Sequence, residues 1–150
     1  MDNYIIREIK YRELEELLEL YKHLNADDPN LELDEEIRLL WDEIYGNPNL
    51  NYLVCELDGK IVASCTVAII KNLTRKARPY CLVDNMITHS DYRKRGLGRA
   101  VLDQAVEIAK ENNCYKVMVM SGSNKDETVR FYENAGFDSN RKTAFYLGLK

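Results

Sequence analysis

Four cations, Arg93, Lys94, Arg95 and Arg99, crowd around two glycines, Gly96 and Gly98, in the stretch SDYRKRGLGRA from Ser90 to Ala100. Guanidinium groups gathered beside glycine are equipped to hold an anion. A helical period runs from Leu97 to Lys110, so the cluster lies where a helix begins. The first amides of a helix lack intrahelical acceptors and carry partial positive charge. Glycine there lets the backbone approach a phosphate closely. The chemistry indicated is phosphate or pyrophosphate binding. A mononucleotide loop would end in Gly-Lys-Ser/Thr, but Gly98 is followed by Arg99-Ala100. A dinucleotide fingerprint wants a third glycine or alanine where Val101 stands, in an early strand–helix unit. The pattern that remains is Arg93-x-x-Gly96-x-Gly98.

Asp84 is a second candidate. It is the odd residue in the apolar stretch LVDNMIT, and a carboxylate buried among apolar groups is costly unless it is paired or used. Its neighbour Asn85 should alternate to the opposite strand face and satisfy backbone or loop groups.

The elements that must position these residues follow from periodicity. A short strand spans Tyr4 to Ile9. A helix follows, with Leu14, Leu17, Leu18, Tyr21 and Leu24 on one face, and it ends at Asp27-Asp28-Pro29-Asn30. Asp34 caps a second helix, with Glu35 and Glu36 in its first turn and Ile37, Leu40, Trp41, Ile44 and Tyr45 as its stripe. Strands over Tyr52 to Leu57 and Ile61 to Ile70 flank an Asp58-Gly59 hairpin turn. A polar connection from Asn72 to Pro79 leads to a strand over Tyr80 to Thr88. After the helix from Leu97 come a strand over Tyr115 to Met120 and a short helix, Thr128 to Asn134, closed by Gly136. Two last strands are expected around Phe137 and over Thr143 to Leu149. The order is β-α-α-β-β-β-α-β-α-β-β, a mixed α/β domain over residues 1–150.

With those elements in place, Arg93-x-x-Gly96-x-Gly98 resembles the coenzyme A pyrophosphate loop of the GNAT acetyltransferase superfamily. The preceding Leu82-Val83-Asp84-Asn85-Met86-Ile87-Thr88-His89-Ser90-Asp91-Tyr92 is similar to that family's strand and loop, typically I-E-N-V-V-V-H-P-D-Y-R. Phe131-Tyr132-Glu133-Asn134-Ala135-Gly136-Phe137 is similar to its F-Y-E-x-x-G-F segment. The resemblance is close from Tyr80 to Phe137 and extends loosely over the chain through the element order. It implies the GNAT fold, a mixed and mostly antiparallel sheet flanked by helices, and acetyl transfer from acetyl-CoA to an amine. It also implies that Arg93, Lys94, Arg95, Gly96, Leu97, Gly98 and Arg99 hold the pyrophosphate. The backbone of Met86, Ile87 and Thr88 would pair with the pantetheine arm like an added strand, and an amide there could polarise the thioester carbonyl. Tyr132 matches the tyrosine that protonates the departing thiolate, a transfer that suits a phenol of pKa about 10. Its plain alternative is one of ten tyrosines packing on the sheet. Asp84 stands where relatives often hold a glutamate proposed as base or water-holder. The asparagine that many members place seven residues before the tyrosine is here Lys125, with Asn124 one position earlier.

The two early helices cover the acceptor site in this family, which makes Tyr21, His23, Trp41 and Tyr45 candidates for acceptor contact. Aromatic residues at helical spacing are more simply core, and His23 lies off the stripe, as a surface residue would. Tyr146 is a further candidate. His89 is expected to cap the loop after the strand. His23 and His89 are far apart in sequence with no ligand spacing, so no metal is expected. The basic run Thr74-Arg75-Lys76-Ala77-Arg78 reads as a solvated connection, or as a steering element for an acidic substrate group.

The 150 residues suit one domain, which at this length buries about 70% of its unfolded surface without staples. A net charge of −4 argues against nucleic acid as partner. Cys55, Cys65, Cys81 and Cys114 show no C-x-x-C pairing and read as buried free thiols. No apolar run approaches a membrane span and MDNYIIREIK lacks a signal-peptide pattern, so a cytoplasmic protein is expected. In such a compartment the Asn72-Leu73-Thr74 sequon carries no meaning. The favoured acceptor is a small-molecule primary amine. Protein N-termini or lysines are the enzymatic alternative, and a non-catalytic acetyl-CoA sensor the other. Members of the resembled family often form homodimers, so a homodimer is a further implication.

Overall fold

The computed structural model describes residues 3–150. Strand β1 (Tyr4–Glu8) leads through a single 3-10 turn at Tyr11–Glu13 into α1 (Leu14–Tyr21) and α2 (Glu35–Tyr45). Then come β2 (Leu50–Leu57), β3 (Lys60–Ile70), the one-turn α3 (Thr74–Ala77) and β4 (Tyr80–Thr88). Helix α4 (Leu97–Glu111), β5 (Val117–Val119) and α5 (Asp126–Asn134) complete the regular structure. The strands lie in the order β1-β2-β3-β4-β5. The first four are antiparallel, and β5, which returns after α4, is parallel to β4.

Local chemistry explains most boundaries. The Asp34 side chain accepts the Ile37 amide at 2.9 Å and starts α2. Asp58 and Gly59 both have positive φ, 52° and 77°, as the two-residue turn between β2 and β3 requires. Arg7 on β1 donates to both Glu13 and Glu56 at 2.8 Å, which ties the chain before α1 to β2. Both sheet faces are covered. One face packs Leu53, Cys55, Val67, Cys81 and Val83 against Leu97, Val101, Leu102 and Ala105 of α4. The other packs Val54, Ile61 and Ile87 against Leu17, Leu20 and Trp41 of α1 and α2. Among the described residues no helix is long and apolar enough to cross a membrane.

Three expectations change. The Asn72–Pro79 connection contains a left-handed turn, with φ of 54°, 58° and 61° at Arg75, Lys76 and Ala77. Each such residue costs about 1–2 kcal/mol. Two sets of bonds hold the turn: the Asn72 amide donates to the Thr74 and Arg78 carbonyls, and Arg78 donates to those of Asn113 and Cys114. This basic run lies at the Tyr80 end of β4, opposite the Thr88 end that leads to the anion cluster. Helix α5 begins at Asp126, two residues before the expected Thr128. The largest change is that the two final strands do not form. Residues 135–150 contain no strand, and Phe145, Tyr146, Leu147 and Leu149 are 83–95% exposed. Alternation specifies which face of a strand is apolar; it does not supply a neighbouring backbone.

Candidate active site

Strand β4 pairs with β3 as far as Thr88, but its pairing with β5 covers only Cys81, Leu82 and Val83. From Asp84 onward the β5-facing edge of β4 is therefore open. The parting begins at a bulge. Thr66 faces Asp84 and Ser64 faces Ile87, so Asn85 and Met86 together oppose Cys65. Asn85 takes the left-handed conformation, φ 51°, which asparagine tolerates better than most residues. The extra residue reverses the alternation. Cys81 and Val83 face α4 before it, whereas Met86 takes that side and Ile87 the α1–α2 side after it. Asn85 is thus the bulged residue itself and not an ordinary member of the opposite face. An asparagine after an aspartate inside an apolar strand is the signal in the sequence that could have located it.

The open edge runs into the anion cradle. Gly96, φ 79°, turns the chain into α4, whose first backbone bond is Ala100 N–H to the Gly96 carbonyl. The amides of Leu97, Gly98 and Arg99 precede any helical acceptor. At Gly98 a Cβ would lie 3.0 Å from Thr88 Oγ1 and 3.7 Å from Phe131 Cζ, so glycine lets the helix start press against the end of β4. Arg93 and Arg99 are hydrogen-bonded within the protein. Arg93 Nε donates to the Thr88 carbonyl at 3.1 Å and Nη2 to that of His23 at 3.5 Å. Arg99 bonds Asp103 at 2.8 Å and the Asn134 carbonyl at 3.0 Å, linking the start of α4 to the end of α5. Both guanidiniums are thus engaged within the protein, while the Leu97, Gly98 and Arg99 amides have no acceptor inside the helix. Arg95 lies 5.2 Å over the Tyr92 ring, and Lys94 holds a left-handed φ of 63°.

Asp84 departs from the sequence reading. It is exposed, so the burial argument for it fails. One of its oxygens, Oδ1, accepts the Asn85 amide at 2.8 Å and so caps the bulge. The cross-strand register aligns Tyr52, Thr66 and Asp84 in one row on the α1–α2 face. Tyr21 of α1 reaches into the same neighbourhood. Burial pushes its phenol pKa up, and nearby Tyr52, Cys65 and Asp84 push the same way. The Tyr21 and Thr66 hydroxyl oxygens are near neighbours and both buried, but the pair does not reach hydrogen-bond geometry. Tyr132 belongs to the α4–α5 side, between Phe131 and Phe137 at ring distances of 5.0 and 6.1 Å. Burial raises its pKa above the usual phenol value, followed by the effects of Cys65 and Asp84. Asp84 adds only a minor upward push to either phenol, after burial and nearer neighbours.

The remaining candidates divide. His23 is half-buried and its ring stacks 4.1 Å from that of His89, so two residues remote in sequence meet beside the cradle. His89 Nδ1 accepts the Asp91 amide at 3.1 Å, the expected cap, and Ser90 Oγ lies 3.3 Å from His23 Nδ1. Trp41 is only 4% exposed and its indole donates to the Tyr11 carbonyl at 2.9 Å, so it is a core residue and not an acceptor contact. Tyr45 stacks on Tyr11 and Trp41 at the outer end of α2. Tyr146 is 95% exposed in the C-terminal segment and is not brought to the site. Asn124 lies exposed in the loop before α5. Cys55, Cys65 and Cys81 are buried free thiols, as expected, and burial pushes their pKa values up to about 11, 12 and 12.

An open strand edge that ends in a row of unpaired helix-start amides has room for a long, flexible arm that ends in an anion. A family model described as the acetyltransferase (GNAT) family matches residues 17–137, and the chain belongs to that family. A presumed acetyltransferase from Agrobacterium tumefaciens str. C58, of known structure, is 39% identical with a TM-score of 0.91, over 97% of this chain and 99% of that one. Glucosamine 6-phosphate N-acetyltransferase of Arabidopsis thaliana is 30% identical over 112 residues, 71% of each chain. The enzyme of that name from Trypanosoma brucei brucei is 31% identical over 84 residues, which is 56% of this chain and 55% of that one. The match thus spans little more than half the length of the trypanosome enzyme.

Proposed function

We propose that this protein transfers the acetyl group of acetyl-CoA to a primary amine of a small-molecule acceptor, by direct attack of the amine on the thioester. The observation that carries the reading is geometric: beyond Val83 the β5-facing edge of β4 is open, and it leads to the start of α4, where Gly96 turns the chain and Gly98 lets the helix press against Thr88. The residues present fit the co-substrate. The amides of Leu97, Gly98 and Arg99 would hold the pyrophosphate, with Gly96 supplying the turn and Lys94 and Arg95 adding positive charge. The backbone of Met86, Ile87 and Thr88 would take the pantetheine arm along the open edge. Bound acetyl-CoA supplies an activated acetyl thioester.

The chain's own residues supply proton management and orientation. Burial keeps the Tyr132 phenol protonated to well above neutral pH, so it can give its proton to a departing sulfur. Asp84 uses Oδ1 for the bulge, which leaves Oδ2 to take the amine's proton, directly or through water. The names of the Arabidopsis and trypanosome relatives support an amino sugar as the acceptor class.

The test is continuous thiol release from acetyl-CoA across amino sugars, aminoglycosides, amino acids and short peptides. The four cysteines react once with a thiol reporter, so only sustained release counts. Tyr132→Phe should slow turnover about 10²-fold or more with CoA affinity retained. Asp84→Asn keeps an oxygen for the Asn85 amide but removes the charge, so it should lower turnover without unfolding the bulge. Acetyl-CoA binding with no release from any acceptor would overturn the enzyme reading in favour of a sensor.

A further inference from the structure

The turn between β3 and β4 gathers features that acetyl transfer does not use. Arg75, Lys76 and Ala77 are consecutive left-handed residues, a conformation that is costly for any residue with a Cβ. Such strain persists only where surrounding bonds hold it, and it concentrates at ligand clamps. Here the bonds of Asn72 and Arg78 hold it. The turn also displays charge of one sign. Lys71, Arg75, Lys76 and Arg78 are exposed on it. Lys116, just before β5, lies 5.1 Å over the rings of both Tyr80 and Tyr115, and Arg75 lies 5.4 Å over the Tyr115 ring. Among the described residues none of these cations pairs with a carboxylate. No acidic residue occurs from Gly59 to Val83 or from Asn112 to Lys125, although the chain's net charge is −4. Beside the cations Leu73 is 94% exposed.

We propose that this turn is a docking surface for an acidic segment of a partner protein. Its carboxylates meet Lys71, Arg75, Lys76 and Lys116, while an apolar side chain packs on Leu73. Ring contacts fix Arg75 and Lys116 in place without neutralising them. Arg78 donates only to backbone carbonyls, so its charge also stands uncancelled. Cations held in advance lose little side-chain freedom when a carboxylate arrives. Fixed geometry of this kind suits a discrete partner. A membrane attracts basic groups through diffuse charge and rewards a broad apolar face, whereas this turn offers one leucine. Single-stranded nucleic acid stacks its bases on bare aromatic rings, and here cations cover Tyr80 and Tyr115. The turn is separated from Thr88 by the nine-residue length of β4, roughly 27 Å. Docking there leaves the open edge and the cradle accessible, so the proposal does not depend on acetyl transfer.

Fluorescence anisotropy of a short labelled glutamate-rich peptide with a central leucine, titrated with the full chain, tests this. The peptide should bind about 10-fold or more tightly than its glutamine counterpart, and more weakly as salt rises. Lys71 and Lys76 make no hydrogen bond, ion pair or ring contact among the described residues, so reversing their charges does not loosen the turn. Lys71→Glu with Lys76→Glu should therefore weaken binding about 10-fold or more in a chain that keeps its far-UV circular dichroism. Leu73→Ser should weaken it several-fold. Lys60→Glu with Lys142→Glu changes the net charge equally and should bind as the wild type does. An equal loss in that control pair would mean that binding follows net charge alone, and would overturn the proposal. So would equal affinity for the glutamine peptide, or no peptide binding at low salt. Tighter binding to phosphatidylglycerol vesicles or to a single-stranded DNA oligonucleotide than to the peptide would overturn it in favour of that other class of partner.

Discussion

Gly96 and Gly98 lie two residues apart, yet the structure requires them for different reasons, and their alanine variants should separate the two. Gly98 has a helical backbone. A methyl there lands 3.0 Å from Thr88 Oγ1 and 3.7 and 3.8 Å from the Phe131 ring. Overpacking of this kind costs about 1–3 kcal/mol. Alanine recovers about 1 kcal/mol over glycine in a helix. The net loss is about 0–2 kcal/mol, or up to about 8 °C in Tm for a domain of this size. Thr88→Ala deletes the opposing oxygen. In that background Gly98→Ala should become neutral or stabilising, which shows as coupling in a double-mutant cycle. At Gly96 nothing lies within 4 Å of a Cβ, but φ is +79°. Gly96→Ala should therefore cost about 1–2 kcal/mol through backbone strain alone. Gly96→Asn should recover part of that loss, because asparagine tolerates the left-handed region. Urea unfolding followed by far-UV circular dichroism measures all five variants. If Gly98→Ala is equally costly with and without the Thr88 hydroxyl, or Gly96→Asn is no better than Gly96→Ala, the reasoning about the cradle is refuted.

Other outcomes follow from buried polar groups. Cys55, Cys65 and Cys81 have folded pKa values of about 11, 12 and 12, above that of an ordinary thiol. Above pH 9 the unfolded chain releases protons that the folded protein retains. Stability should then fall with rising pH, from about 9 to the folded values, by at most about 1.4 kcal/mol per pH unit for each thiol. Denaturant midpoints from pH 8 to 11 would show it, and a flat profile would contradict the buried placement. The Tyr21 hydroxyl is buried without a hydrogen bond, and an unsatisfied buried group costs about 1–3 kcal/mol. Tyr21→Phe should therefore leave stability unchanged or raise it. A loss above about 1 kcal/mol would reveal a partner for the hydroxyl.

Much of this molecule is local in origin and so was open to sequence reasoning. The Asp34 cap, the Asp58-Gly59 turn and the cradle at the start of α4 depend on contiguous residues whose conformational preferences act over one turn. The family likewise declares itself through contiguous motifs, Arg93 to Gly98 and Phe131 to Phe137. Asp84 shows where such reasoning stops. Its neighbours are apolar, which suggested burial, but the bulge at Asn85 leaves it exposed and gives one oxygen to the bulged amide. Trp41 and His23 show the same limit. A helical stripe does not tell core from cavity, and a histidine pair formed by α1 and the end of β4 has no spacing in the chain.

By itself, then, the sequence determined most of the elements through α5, the glycine turn into α4 and the family to which the chain belongs, because each rests on short-range preferences. Only the tertiary structure decided that β4 parts from β5 beyond Val83, that a bulge at Asn85 leaves Asp84 exposed, and that the apolar period from Thr143 to Leu149 finds no strand within its own chain. Those outcomes depend on which backbones become neighbours. That is a matter of register and long-range packing, which alternating side chains alone do not specify.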